Sequence, residues 1–145
     1  MGEYLRAVLP EDIELLYQWA NDETVRKNAF NDGKIQYETH VKWFNNMMDD
    51  NNVVQYIYYY NNEPVGQVRL NVSDGDAVLS YSIGAEHRGK GYGKKMLILL
   101  EEKIKSENLN ITQLIAQIKT ENFVSQNVVE SLNYNKVFIE YVKII

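Results

Sequence analysis

Three glycines alternate with larger residues in the segment Arg88-Gly89-Lys90-Gly91-Tyr92-Gly93. Glycine opens backbone angles that other residues avoid, and it leaves no side chain to block a ligand. A β-rich run precedes the segment and an apolar helical pattern follows it, so its amides would face an anion at a helix N-terminus. Arg88, Lys90, Lys94 and Lys95 bring positive charge to the same place. The pattern therefore predicts a pyrophosphate-binding loop.

Two better-known phosphate loops do not fit this segment. A P-loop requires G-x-x-x-x-G-K followed by Ser or Thr, and the sequence contains no such string. A dinucleotide fingerprint requires G-x-G-x-x-G after the first strand of a βαβ unit, whereas Gly89, Gly91 and Gly93 are spaced by two and follow several predicted strands. The loop therefore belongs to another kind of phosphate site.

The elements around the loop predict one α/β (α+β) domain over residues 1–145, with a mixed sheet covered by helices. β-Forming runs between turn signals predict the strands. They lie at Leu5–Leu9, Val53–Tyr60, Val65–Val72, Ala77–Gly84, Gln113–Lys119 and Val137–Ile145. Apolar periodicity and helix-start signals predict the helices. They begin at Pro10, with Ile13, Leu16 and Ala20 on one face, and continue at Glu23–Asn28, Tyr37–Met48, Tyr92–Ser106 and Asn122–Leu132.

Composition excludes several classes of function. The formal net charge of -5 argues against a nucleic acid partner, and the absence of cysteine excludes disulfides and a cysteine nucleophile. His40 and His87 lack the spacing of a zinc site, so no metal is expected. The first residues do not resemble a signal peptide and no run is long enough to span a membrane. We expect a cytoplasmic protein without a membrane partner.

Two motifs together resemble the GCN5-related N-acetyltransferase (GNAT) superfamily. The first is Arg-x-x-Gly-x-Gly, present as Arg88, Gly91 and Gly93 between a strand and a helix. The second is Asn122-Phe123-Val124-Ser125 followed by Glu130-Ser131-Leu132-Asn133-Tyr134, where Asn133-Tyr134 replaces the family's Gly-Phe. Asparagine tolerates the left-handed conformation that glycine would take. The resemblance covers nearly the whole chain and implies the GNAT acyl-CoA N-acyltransferase fold.

This resemblance implies acetyl-CoA as the cofactor and an amine that attacks the thioester directly, without a covalent enzyme intermediate. The strand before the loop would run beside the pantetheine arm, and one of its amides would polarise the thioester oxygen. The loop amides would bind the pyrophosphate. The residues assigned to coenzyme A in this way are Ser82, Ile83, Gly84, Arg88, Gly89, Lys90, Gly91, Tyr92, Gly93, Lys94, Asn122 and Ser125.

The general acid and base are not carried over by the resemblance. Some family members use a Glu on the strand before the Asn motif and a Tyr seven residues after that Asn. Gln117 and Val129 occupy these positions here, and neither side chain can transfer a proton. His40 is the candidate base because an imidazole titrates in a suitable range, although a lone helical histidine is more often structural. Glu86, His87, Tyr134 and a chain of waters are alternatives.

The N-terminal half predicts the acceptor. Its motifs W-x-N-D-x-x-V-R from Trp19 and H-x-x-W-F from His40, with Pro64–Arg69, resemble the branch that acetylates nucleotide-linked amino-deoxy sugars, as in pseudaminic acid synthesis. They resemble less closely the enzymes that acetylate ribosomal protein N-termini. The guanidinium of Arg26 suits a phosphate or a carboxylate, or else it forms a surface ion pair with Asp22 or Glu23. The candidate acceptor-binding residues are Trp19, Arg26, Phe30, His40 and Phe44.

Three further expectations accompany this interpretation. Arg69 lies beside Gln67 on a predicted strand, so it is expected to line the same cleft. An exposed apolar last strand would pair two subunits into a homodimer. The alternatives to a sugar-nucleotide acceptor are a protein N-terminus or an antibiotic amine, and an alternative of another class is a CoA-binding sensor that has lost catalysis.

Overall fold

The computed structural model describes residues 2–145, which form five strands and five helices in a mixed sheet arrangement. In chain order they are β1 (Glu3–Ala7), α1 (Ile13–Ala20), α2 (Glu23–Asn28), α3 (Tyr37–Asp49), β2 (Val53–Tyr60), β3 (Glu63–Ser73), β4 (Asp76–Ile83), α4 (Tyr92–Ser106), β5 (Gln113–Ala116) and α5 (Phe123–Ser131). The strands lie in the order β1-β2-β3-β4-β5. β1 to β4 are antiparallel and β5 runs parallel to β4, which confirms the predicted fold class. Within residues 2–145, no helix combines the length and apolar character needed to cross a membrane.

The sheet has a hydrophobic core on each face because successive strand side chains point to opposite sides. Tyr56 and Tyr58 of β2 pack on one face with buried residues of α4 and α5. Ile57, which lies between them, packs on the other face with Leu16 of α1 and Phe44 of α3. The two layers of helices therefore hold the sheet between them and leave its edges open.

β4 extends beyond the end of β5, and this difference in length opens the sheet. The parallel pairing joins Asp76–Leu79 of β4 to Gln113–Ala116 of β5 and stops there. The remaining part of β4, residues 80–83, pairs only with β3 on its other side. A cleft therefore begins where β5 ends, beside an unpaired strand edge and directly before the glycine loop.

Two predictions about the C-terminal third of the chain are corrected. The predicted strand Gln113–Lys119 ends at Ala116. The predicted last strand, Val137–Ile145, is wrong: these residues form neither strand nor helix, and Ile144 is 93% exposed. A high β-propensity describes a fit to a pleated, half-buried surface, so it gives no strand where no neighbour supplies a ladder. The four-residue β5 offers too short an edge for this nine-residue segment.

Candidate active site

A cleft of about 730 Å³ lies beside the open end of β4, between the helices of the N-terminal half and the first turns of α4 and α5. Most residues predicted to bind coenzyme A line it. These are Ser82, Ile83, Arg88, Gly89, Gly91, Tyr92, Gly93, Lys94, Asn122 and Ser125. The other two lie outside the lining, because Gly84 is buried against Trp19 and Lys90 is exposed. The topology thus brings two motifs more than thirty residues apart to one cleft.

The glycine loop presents free main-chain amides to this cleft. Gly91 is the N-cap of α4 with φ 80°, and Gly89 has φ 78°, both in the left-handed region that favours glycine. A Cβ added to either glycine would meet no atom within 4 Å, so the space beside them is open. Within residues 2–145, no side chain caps α4, its first turn carries no acid, and the amides of residues 88–94 donate to no acceptor. We call these amides the amide cradle. The fifteen-residue α4 adds the positive end of its dipole, so the cradle fits an anion.

The Arg88 side chain braces the cleft. Its Nη2 donates to Asp22 Oδ2 at 2.7 Å and its Nε donates to the Ile83 carbonyl at 3.1 Å. Burial opposes ionisation of the Asp22 carboxyl, but hydrogen bonds from Arg88 and from the amides of Val25 and Thr24 outweigh it and lower the pKa of Asp22 below its ordinary value. The pair joins the start of α2 to the glycine loop, so the Arg88 side chain fixes the position of this loop beside the cleft.

The start of α5 closes the other side of the cleft. Asn122 caps this helix by accepting from the Ser125 amide at 3.2 Å. Ser125 Oγ lies 2.6 Å from the Tyr81 hydroxyl, which reaches it from β4. Burial raises the pKa of Tyr81 despite this hydrogen bond, so the hydroxyl keeps its proton at neutral pH. A protonated hydroxyl pair therefore borders the cleft between α4 and α5.

Of the predicted acceptor residues, Trp19, Arg26, Phe30 and His40 line the cleft. Phe44 does not, because it is 2% exposed in the core under α3, and our proposal for the acceptor omits it. The ion pair considered for Arg26 is absent from residues 2–145: its Nε donates to Ala20 O at 2.7 Å and its Nη1 donates to the carbonyls of Asn31 and Gly33 at 2.8 Å and 3.0 Å. Arg26 therefore anchors the segment after α2.

His40 lies at the junction of the cleft and the core. It is 3% exposed, and its ring packs against Tyr17 and Trp43 with centroid distances of 5.2 Å and 5.6 Å. Its Nε2 is 2.9 Å from the Ile13 carbonyl. A carbonyl only accepts, so this contact assigns the proton to Nε2 and leaves Nδ1 as the basic nitrogen.

The sequence matches the Acetyltransferase (GNAT) domain family over residues 4–135, which is most of the chain. The chain belongs to the GNAT acetyltransferase family. Its members transfer an acetyl group from acetyl-CoA to an amine, and the amide cradle and the open edge of β4 fit that cofactor. No curated protein matches the sequence at a significant level.

Solved structures share the fold of this GNAT domain. A domain from Methanocaldococcus jannaschii DSM 2661 is 24% identical, with a TM-score of 0.81 over 93% of this chain and 89% of that chain. Spermidine N-acetyltransferase from Vibrio cholerae, in complex with CoA and spermine, is 19% identical, with a TM-score of 0.79 over 90% of this chain and 79% of that chain. Aminoglycoside acetyltransferase AAC(6')-Ib, in complex with coenzyme A, is 18% identical, with a TM-score of 0.79 over 94% and 86%.

One group of cleft residues in this GNAT domain was only partly predicted from the sequence, since Arg69 was expected to line the cleft and Ser82 was assigned to coenzyme A, whereas Gln55 and Ser80 were missed. It consists of Gln55, Gln67, Arg69, Ser80 and Ser82, on the face of β2, β3 and β4 that looks into the cleft. We call this group the polar floor. Gln55 donates to Gln67 Oε1 at 2.9 Å, and Gln67 donates to Ser82 Oγ at 3.1 Å. The period-two spacing of polar residues in β3 and β4 is the signal that could have found it.

The structure also shows where Gln117 and Val129 lie, the residues at the positions of the acid and base that some family members use. Gln117 lines the cleft just after β5, whereas Val129 is buried in the core against α4.

Asn133 has φ 69°, which confirms that it takes the left-handed conformation expected of the family's glycine. The hydroxyl of Tyr134 is buried and has no hydrogen-bond partner among the residues that the structure describes, and its side chain packs in the same core.

Proposed function

We propose that this GNAT acetyltransferase acetylates the primary amine of an acceptor that also carries an anionic group, such as a nucleotide-linked amino-deoxy sugar. The charge of the cleft carries the proposal. Arg26, Arg69, Arg88 and Lys94 line it, whereas no Asp or Glu of residues 2–145 does, although the whole chain has a formal net charge of -5. Asp22 pairs with Arg88 from outside this lining, so the positive charge comes from the other three side chains. A cleft lined by one sign of charge concentrates ligands of the opposite sign.

The same charge disfavours the strongly cationic acceptors of some fold neighbours. Structures of those enzymes hold spermine or kanamycin, each of which carries several amines. A second and third ammonium group in this cleft would meet arginines and a lysine without a carboxylate to receive them. Unfavourable juxtaposition of like charges is one way in which sites reject a ligand. A protein N-terminus remains the second candidate acceptor, since it need not carry further cations.

The reaction follows from the layout of the cleft. The amide cradle would hold the pyrophosphate of acetyl-CoA, and the unpaired edge of β4 would flank its pantetheine arm. Bound acetyl-CoA supplies an activated thioester, whose carbon the amine attacks: a C–N bond forms, the C–S bond breaks, and the nitrogen loses a proton. The Tyr81–Ser125 hydroxyl pair borders this region and is placed to donate a proton towards a departing thiolate.

His40 is the base that we propose for the acceptor amine, through Nδ1. A His40→Gln variant keeps a donor for the Ile13 carbonyl and removes the nitrogen proposed as the base. We expect kcat to fall about 100-fold. Steady-state rates between pH 5.5 and 9 provide the measurement, and urea denaturation checks that the fold is kept. Full activity of this variant at every pH would exclude His40.

A panel of amines tests the proposed function. With acetyl-CoA present, release of free thiol is measured for a nucleotide-linked amino sugar, a peptide with a free N-terminus, spermidine and kanamycin. We expect the amino sugar to give the largest kcat/KM, by at least about tenfold, because each well-placed charged hydrogen bond contributes that much. A larger kcat/KM for spermidine or kanamycin contradicts the proposal. Binding of coenzyme A without thiol release on any amine would support the non-catalytic sensor.

We further propose that two copies of the chain associate through the tail segment Val137–Ile145. Its apolar side chains are exposed, and a groove of about 610 Å³ beside β5 is lined by Ile104, Leu114, Val129 and other residues. A contiguous exposed apolar patch marks a surface that associates with another protein chain. Light scattering should give the molar mass of a dimer, and Val142→Lys should shift it to the monomer. A monomeric parent chain would contradict this proposal.

A further inference from the structure

The polar floor contains a half-buried cation that no acid among residues 2–145 neutralises. Arg69 extends from β3 with its guanidinium carbon 5.1 Å from the centre of the Trp43 ring. Its one hydrogen bond within residues 2–145 is a long one of 3.4 Å, from Nη2 to Ser80 Oγ, and no carboxylate lies within 4.0 Å. Burial lowers the pKa of Arg69, but the guanidinium stays charged. Most of its five N–H donors are thus unused.

An unused acceptor lies beside this cation. Gln55 is the cross-strand partner of Arg69 in the β2–β3 pairing. Its Nε2 donates to Gln67, whereas its Oε1 is buried and has no hydrogen-bond partner in the described part of the chain, residues 2–145. A buried polar atom left without a partner costs free energy, so a native structure that keeps one invites a ligand or water as its partner. The floor thus offers a fork of donors and one acceptor within a single pair of strands.

The other cleft-lining arginines of residues 2–145 are already engaged. Arg26 donates to three backbone carbonyls, and Arg88 donates to Asp22 and to the Ile83 carbonyl. Lys94 lies in the first turn of α4, beside the amide cradle. Arg69 is therefore the cleft arginine whose donors remain available to an acceptor, and it lies on the β3 side of the open end of β4.

We infer that Arg69 and Gln55 form a subsite for an anionic group of the acceptor, a phosphate or a carboxylate. The Arg69 guanidinium donates to the oxygens of the anion. The Trp43 ring packs against one face of the guanidinium and limits its orientation. Gln55 Oε1 accepts from a hydroxyl or ammonium of the same acceptor. This inference rests on the proposed function for the amine, but the subsite itself requires only that an anion bind in the cleft.

Paired probes and two matched variants test this inference. The probes are glucosamine, glucosamine 1-phosphate and 2-amino-2-deoxyglucuronic acid, which differ in having no anion, a phosphate or a carboxylate. Arg69→Gln removes the cation from the floor, and Lys42→Gln removes a cation from the exposed surface of α3, outside the cleft lining. Thiol release gives kcat and KM for each probe, and titration of the CoA-loaded protein gives the Kd of each probe.

We expect Arg69→Gln to raise the KM and Kd of one anionic probe about 10- to 100-fold, and to leave glucosamine and coenzyme A unaffected. The probe that shows the change identifies the anion as phosphate or carboxylate. Lys42→Gln should change neither the KM nor the Kd of any probe. Equal losses for glucosamine and the anionic probes, or no preference for an anion in the parent protein, would overturn the inference. Arg69-dependent binding without thiol release would instead keep the subsite and refute the proposed acetyl transfer.

Discussion

A Gly91→Glu variant is expected to bind coenzyme A at least about 100-fold more weakly than the parent protein, with its fold retained. Two effects act together. The left-handed φ of 80° at this N-cap penalises any residue with a Cβ by about 1–2 kcal/mol. The added carboxylate also enters open space beside the amide cradle, where it competes with the pyrophosphate and repels it. Isothermal titration with coenzyme A gives the measurement.

Gly75 provides the matched control for this prediction. It has φ 86° in the turn between β3 and β4 and does not line the cleft, so Gly75→Glu adds the same charge and a comparable backbone strain elsewhere, together with a 3.0 Å contact between the new Cβ and Thr112 Oγ1. We expect it to lower the free energy of unfolding but to leave the Kd of coenzyme A unchanged. Gly91→Ala, which adds strain without charge, should fall between the parent and Gly91→Glu. If Gly91→Glu bound coenzyme A with the Kd of the parent protein, the amide cradle could not be the site that binds the pyrophosphate.

The glycine loop could be predicted from sequence because the residues that define it are close together along the chain. Positive φ angles require small residues, and the strand before the loop and the helix after it are short-range patterns. The structure adds what is not local, namely the early end of β5 that exposes the β4 edge beside the loop. That end is a property of strand pairing, and the apolar run Gln113–Lys119 contains nothing that marks it.

The partners of charged side chains could not be predicted in the same way. Arg26 was expected to face an anion, yet its donors are used by carbonyls five to seven residues away along the chain. Arg88 pairs with Asp22, which is 66 residues distant, and this pairing depends on how α2 packs beside the loop. The sequence predicts that Arg69 lines the cleft, but not that its guanidinium lacks an acidic partner among residues 2–145, because that depends on its surroundings in three dimensions.

Gly66→Val is expected to lower the free energy of unfolding by about 3–4 kcal/mol and to weaken coenzyme A binding together with it. Gly66 of β3 pairs with Ile83 at the open end of β4. A Cβ at Gly66 would lie 2.6 Å from the Ser82 carbonyl oxygen and 2.8 Å from Ile83 Cδ1. The Ser82 atom is a backbone oxygen, which cannot rotate away as a side-chain atom could. The backbone of β4 must therefore shift to make room for the new Cβ. Urea denaturation and titration with coenzyme A measure the two effects.

If Gly66 shapes the cofactor site, Gly66→Val must lower both the free energy of unfolding and the affinity for coenzyme A. If its role is only structural, the affinity for coenzyme A should not change. Residues 80–83 hold their position through β3 alone, since β5 has ended, and a displaced β3–β4 contact therefore moves the edge proposed to flank the pantetheine arm. Gly33→Val, in an exposed segment where a Cβ meets only Asn31 Oδ1 at 3.8 Å, is the control and should change neither quantity appreciably. Destabilisation by Gly66→Val with unchanged coenzyme A affinity would mean that the cofactor does not depend on this end of β4.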